Sequence, residues 1–219
     1  MSVGIEDFFP WLMPLVPGVP DLLAMQALRS SAGTFCSRTD LIQRVMTADV
    51  TAYTEDYTVS PPVEQQVARI LTVSWKGVPL APVTPDIVAS GFPLRGASIG
   101  GVSPAYGVPT CYFQKTPIDA GFSLYPIPDA VVALALTVKA SFVPTNGATT
   151  LDDELYANWV EDIAAGAAAS LMAMPGQRFS SPLAAGYAKA FGAAITRAKR
   201  QKSTGLLAGR LRVMSMPFA

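Results

Sequence analysis

Histidine is absent from all 219 residues, and cysteine occurs only twice, at Cys36 and Cys111. Without an imidazole, Ser-His-Asp and Cys-His catalysis within this chain are excluded. Two cysteines far apart in sequence do not make a tetrahedral zinc set, so no metal or other cofactor is expected, and both thiols read as small buried hydrophobes. Charge is scarce too, at 15% of residues against 50% hydrophobic, below the roughly 25% usual for a soluble domain. That shortage implies apolar surface covered by other chains. The longest apolar windows, 163–174 and 130–138, fall short of the ~20 residues that cross a bilayer. Glu6 and Asp7 stand where a secretory leader needs cations, and prolines at 10, 14, 17 and 20 interrupt the run that follows. A soluble protein without membrane association is expected.

One scarcity is local. After Asp162 there is no acidic residue, whereas Arg178, Lys189, Arg197, Lys199, Arg200, Lys202, Arg210 and Arg212 follow. Residues 163–219 therefore carry 8 basic and 0 acidic side chains, and residues 1–162 carry 8 basic and 16 acidic, so a chain of net charge zero splits into parts of −8 and +8. Polarity of this kind concerns association more than topology.

Prolines make residues 1–20 an ordered aromatic arm rather than a long helix. Pro20-Asp21 opens a helix with a stripe of Leu22, Met25, Leu28, Ala32, Phe35 and Cys36, and Gly33 suggests close packing on it. From Arg44 to Val59 the period is two, which reads as one strand ended by Pro61-Pro62. Gln66–Trp75 is a second strand, Lys76-Gly77 a turn, and Val78–Val83 an edge strand because of its prolines. Residues 84–107, rich in glycine and proline, read as a long loop; their Gly100-Gly101 pair lacks the lysine of a phosphate loop. Strands resume at Pro109–Lys115, Gly121–Tyr125 and Ala130–Val143, the last a continuous apolar run expected to be buried on both faces, before the Asn146-Gly147 turn.

Thr149 or Thr150 is the expected cap of the next helix. Asp152, Asp153 and Glu154 in its first turn suit the helix dipole better than a metal, because consecutive positions fan around the axis. Leu155, Trp159, Ile163, Ala167, Leu171 and Met174 form its core stripe, beside a thin wall of Ala164, Ala165, Gly166, Ala168 and Ala169 that lets another helix approach. Pro175-Gly176 stops it. Ser181-Pro182 starts the last helix, whose apolar face is Leu183, Tyr187, Phe191 and Ile195, and Arg197, Lys199 and Arg200 complement its C-terminal dipole. Residues 203–219 read as an extended tail in which Arg210 and Arg212 alternate with Leu211, Val213, Met214 and Met216, ahead of Phe218.

The fold class expected is α+β: a helical hub of N- and C-terminal helices, an inserted antiparallel β-sandwich or barrel-like lobe, and the extended tail. The divisions are 1–42, 43–147, 148–202 and 203–219. The chain's order of parts resembles the head-to-tail adaptor (connector) proteins of tailed bacteriophages. The likeness is carried by Val16-Pro17-Gly18-Val19-Pro20 running into Ala27-Leu28 and Phe35-Cys36, by Asp153-Glu154-Leu155-Tyr156 with Trp159, by Met174-Pro175-Gly176, and by the ending Met216-Pro217-Phe218-Ala219. It covers both helical ends, matches the β region only in general character, and does not extend to the 84–107 loop.

The resemblance implies a homo-oligomeric, twelve-fold ring in the virion neck, assembled in the host cytoplasm between the portal protein and a tail nozzle or other neck protein. It puts portal docking on the tail residues Arg210, Leu211, Arg212, Val213, Met214, Met216 and Phe218. Ring or hub packing falls on Leu155, Trp159, Ile163, Leu171, Tyr187, Phe191 and Ile195, and DNA would pass the lumen without sequence-specific binding. The competing reading is a nucleic-acid-binding protein that uses Arg197, Lys199, Arg200 and Lys202 on phosphates or on an acidic partner, although that segment lacks interleaved aromatics for base stacking. An enzyme using its carboxylates finds no supporting spacing.

Overall fold

The computed structural model describes residues 2–84, 106–114, 120–174 and 180–204. The protein is mixed α+β, with four α-helices and mostly antiparallel sheets, and no closed barrel among the described residues. It divides into two compact units, Met1–Leu41 with Ala148–Ala219, and Ile42–Gly147.

In the first unit, strand β1 (Ser2–Gly4) pairs antiparallel with β10 (Thr150–Asp152), joining the start of the chain to the entry of its third helix. A 3-10 turn (Ile5–Phe8) and the one-turn helix α1 (Phe9–Leu12) follow. The proline-broken arm thus has short regular pieces, and it seats its apolar side chains on its own chain. Ile5, Phe8, Leu12 and Val16 are buried, and the Phe8 ring meets Tyr156 edge-on at 5.3 Å.

Helix α2 (Asp21–Thr39) starts after an extended Pro20 and ends on Asp40, whose left-handed backbone (φ 47) directs its N–H to the Cys36 carbonyl. Its buried line is Ala24, Ala27, Leu28, Ser31, Ala32, Phe35, Cys36 and Thr39. Leu22, expected on the apolar stripe, is 70% exposed, because the line that faces the core is offset by two residues at this end. A Cβ at Gly33 would meet nothing within 4 Å, so no close approach requires that glycine.

Helix α3 (Asp153–Ala173) buries Leu155, Trp159, Ile163, Ala164, Ala167, Ala168, Leu171 and Met172. The thin wall is occupied within the same chain. A Cβ at Gly166 would overlap Ser31 Oγ of α2 and come within 2.7 Å of the Phe191 ring of α4 (Ser181–Thr204). Ser31 in turn donates to the Ile163 carbonyl at 2.8 Å, so a buried hydroxyl ties α2 to α3 where the backbones have room to approach. On α4 the buried residues are Ala184, Ala194, Ile195 and Ala198, with Tyr187 and Phe191 half-buried. Leu183 is 53% exposed, a correction to the expected face.

In the second unit, one four-stranded sheet has the order β2-β9-β4-β5, and another has β3-β8-β7-β6. The long central strand β9 (Val132–Pro144) pairs antiparallel with β2 (Gln43–Val50) on one side and β4 (Gln65–Trp75) on the other. It is fully covered only from Ala140 onward, and Leu134 is 68% exposed. The turn Lys76-Gly77, with both φ angles positive (48 and 82), leads into β5 (Val78–Pro79). The chain then changes sheets at Leu80 and enters β6 (Ala81–Pro82), which runs parallel to β7 (Cys111–Phe113). Both proline-bearing strands lie at sheet edges, where a missing N–H costs no ladder bond.

The alternating stretch 44–59 is not one strand. It breaks after Val50, and β3 (Asp56–Thr58) pairs with β8 (Gly121–Tyr125) in the other sheet. The break is made by Tyr53, at φ 60, whose N–H goes to the Pro128 carbonyl at 2.8 Å. Alternation of side chains continues in sequence across this bend, so periodicity could not mark it. The expected 109–115 strand is reduced to Cys111–Phe113, and residues 85–105 of the expected loop lie outside the described residues.

Candidate partner interface

The basic end of α4 is held by two charged contacts. Arg197 donates to Asp162 of α3, and its guanidinium lies over the Trp159 ring, 5.0 Å from the centroid. Trp159 itself packs on Phe35 of α2 at 5.1 Å between ring centroids. One turn and a half further on, Lys202 Nζ reaches the Thr39 carbonyl at 3.3 Å and the Asp40 carboxylate at 3.6 Å. A cation against the last carbonyls of α2 is favoured by that helix's dipole. Burial pushes the Asp162 carboxyl above its ordinary range, and Arg197 opposes that shift while Glu161 adds to it.

Of the four basic residues that could meet phosphate or an acidic partner, Arg197 and Lys202 therefore have intramolecular carboxylate partners. Lys199 and Arg200 are exposed. The packing set Leu155, Trp159, Ile163, Leu171 and Ile195 is buried inside the helical unit, with Tyr187 and Phe191 half-covered beside it. These side chains meet residues of their own chain, as Trp159 and Phe191 do with Phe35.

Helix α4 continues through Thr204, so the chain is helical at 203–204, where an extended tail was expected to begin. A run of good helix formers, Ala198 to Lys202, carries the helix past the predicted end, and the Lys202 contacts hold it there. The docking residues Arg210, Leu211, Arg212, Val213, Met214, Met216 and Phe218 lie outside the described residues.

The acids at 152–154 form a cap. Asp152, not Thr149 or Thr150, is the N-cap of α3, and its Oδ1 accepts from the Glu154 N–H at 3.2 Å. Thr150 is taken up in strand β10 instead, so the helix can begin only after that pairing ends. Burial, with Asp152 adding, raises the Glu154 carboxyl above its ordinary range. Cys36 is fully buried, and its thiol is pushed from 9.0 to about 12 by that burial, with Asp152 and Glu154 adding. A thiol so far from ionisation is not a nucleophile at neutral pH. Among the described residues, no three acidic or sulfur ligands converge on a metal position, and no helix is long and apolar enough to cross a membrane. Comparison with protein-family models and with curated proteins finds no match.

Proposed function

We propose that this protein is a structural adaptor of the head-to-tail connector kind, assembled as a ring between a portal and a tail or neck protein in a phage virion. In this reading the first unit is the hub, the second unit is an inserted sandwich-like lobe, and the residues after Thr204 dock on the portal. The observation that carries it is the anchoring of α4. Lys202 and Arg197 hold the last helix to α2 and α3, so the end of that helix, which precedes Arg210, Leu211, Arg212, Val213, Met214, Met216 and Phe218 in sequence, is tied to its own unit. A docking segment launched from a rigid base costs less ordering entropy on binding than one launched from a frayed end. The −8 and +8 division of the sequence suits head-to-tail contacts around a ring, which close when the rotation permits.

The test is portal binding by the full chain and by a variant ending at Thr204, which retains the Lys202 contacts. The full chain is expected to bind portal rings and the shortened one to lose binding, with both equally helical by circular dichroism. Equal binding by the two would overturn tail docking. A primary role in binding nucleic acid draws less support, because two of its four cations are already paired with carboxylates of the same chain.

A further inference from the structure

Of the seven tyrosines, only Tyr53 and Tyr106 are exposed, at 71% and 53%. Tyr112 is buried, and Tyr57, Tyr125, Tyr156 and Tyr187 are half-buried. The two exposed rings are also each other's neighbours. They meet edge-on with centroids 5.4 Å apart, whereas the ring contacts of Tyr57, Tyr112 and Tyr156 are to phenylalanines.

The backbone builds this pairing. Tyr53 donates its N–H to the Pro128 carbonyl at 2.8 Å, and Tyr106 forms a bridge with Ile127, to whose carbonyl Gly107 donates at 2.9 Å. Two segments far apart in sequence thus hang from adjacent residues of a third. Tyr53 is held there at φ 60, a region that a bulky side chain seldom adopts. Neither ring is buried by the arrangement, so burial does not offset the strain.

What the arrangement does supply is two accessible phenols side by side. Oxidative coupling of separate phenols needs two short-lived radicals to meet, and holding the partners together replaces that encounter with a reaction inside one molecule. We propose that Tyr53 and Tyr106 form a modification site, at which a hydroperoxide acting through a one-electron peroxidase joins the two rings by a carbon–carbon bond. Each phenol loses one electron and its hydroxyl proton, and the two radicals couple through ring carbons ortho to oxygen. Each of those carbons then releases its hydrogen as a proton while the phenol oxygen takes one up. One C–C bond forms, two ring C–H bonds break, and the two electrons and two protons reduce one hydroperoxide to an alcohol, or for hydrogen peroxide a second water, and water. The ring planes lie 78° apart, so one ring must swing toward the plane of the other, which side chains in solvent are free to do. The bond closes a long loop between positions 53 and 106 and so constrains the unfolded chain. It concerns the second unit alone and stands whether or not the protein is an adaptor.

The test treats dilute full chain with a peroxidase and hydrogen peroxide, then examines the monomer band of a denaturing gel by fluorescence and peptide mass spectrometry. The wild type is expected to show dityrosine emission in that band and a linked pair of peptides, carrying Tyr53 and Tyr106, two hydrogens lighter than their sum. Its urea midpoint should rise on treatment. Tyr53→Phe and, separately, Tyr106→Phe keep the ring and remove the phenol, and circular dichroism reports that the fold is kept. Each should lower the monomer emission roughly 10-fold or more, whereas Tyr187→Phe should leave it unchanged. A wild type without the linked 53–106 peptides, or with dityrosine only in covalent dimers, overturns the proposal, as does monomer emission that survives in either site variant. An unshifted urea midpoint in the linked protein overturns its role as a constraint.

Discussion

The two units treat apolar side chains differently. Among the described residues, large exposed hydrophobics number four in the helical unit (Trp11, Leu22, Met174, Leu183) and eight in the β unit, and the β unit holds four of the five non-glycine residues at positive φ. In the helical unit, small residues bring helices together, the one such residue is a C-capping aspartate, and a buried serine closes the gap between α2 and α3. The first unit is therefore expected to hold more of the stability. Backbone strain and exposed apolar side chains, which cost stability, are concentrated in the second unit among the described residues.

The sharpest way to break that contrast is Trp159→Ala. It removes a buried ring that touches both Phe35 and Arg197, and it should cost about 3–5 kcal/mol in denaturant unfolding. A loss of less than about 1 kcal/mol would mean the helical core is not where the stability lies.

A pH-dependent loss should follow from Cys36. The folded state keeps this thiol protonated up to about 12, whereas the unfolded chain ionises it near 9.0. Above 9.0 the unfolded state binds fewer protons, so stability falls as pH rises through this window and is unaffected by this group below it. At about pH 10.5 the effect is roughly 2 kcal/mol. Urea unfolding of wild type and Cys36→Ala at neutral and alkaline pH checks it, and the gap between them should narrow at the higher pH.

Gly166→Ala should destabilise by about 1–3 kcal/mol, because the added methyl meets Ser31 and the Phe191 ring. Gly33→Ala, in the same bundle but facing open space, should stabilise by about 0.5–1 kcal/mol. Opposite signs for the two in thermal unfolding would confirm where the helices touch. In the β unit, Leu134→Asn should be neutral or gain a few tenths of a kcal/mol, since asparagine tolerates the positive φ and little burial is lost. A large loss there would mean that Leu134 packs the unit rather than standing in solvent.

Helix starts were legible because the cues are local. Pro20-Asp21 and Ser181-Pro182 mark the observed beginnings of α2 and α4, and the apolar spacing from Leu155 to Leu171 names side chains that are in fact buried. The cap of α3 was misplaced to threonine because nothing local shows that Thr150 pairs with Gly4. The Tyr53–Tyr106 ring pair was illegible for the same reason. Tyr53 looks like any residue of an alternating strand, and Tyr106 lies 53 positions away, yet their rings are 5.4 Å apart.

The sequence by itself determined the charge division, the absence of imidazole chemistry, and the helix-forming and strand-forming stretches, since these depend on composition or on neighbours a few residues apart. Only the tertiary structure decided which glycine is crowded, which cations are paired with carboxylates of their own chain, where the alternating strand bends from one sheet to the other, and which aromatic side chains are left in solvent. Each of those depends on residues distant along the chain arriving at one place, and no local pattern encodes that arrival.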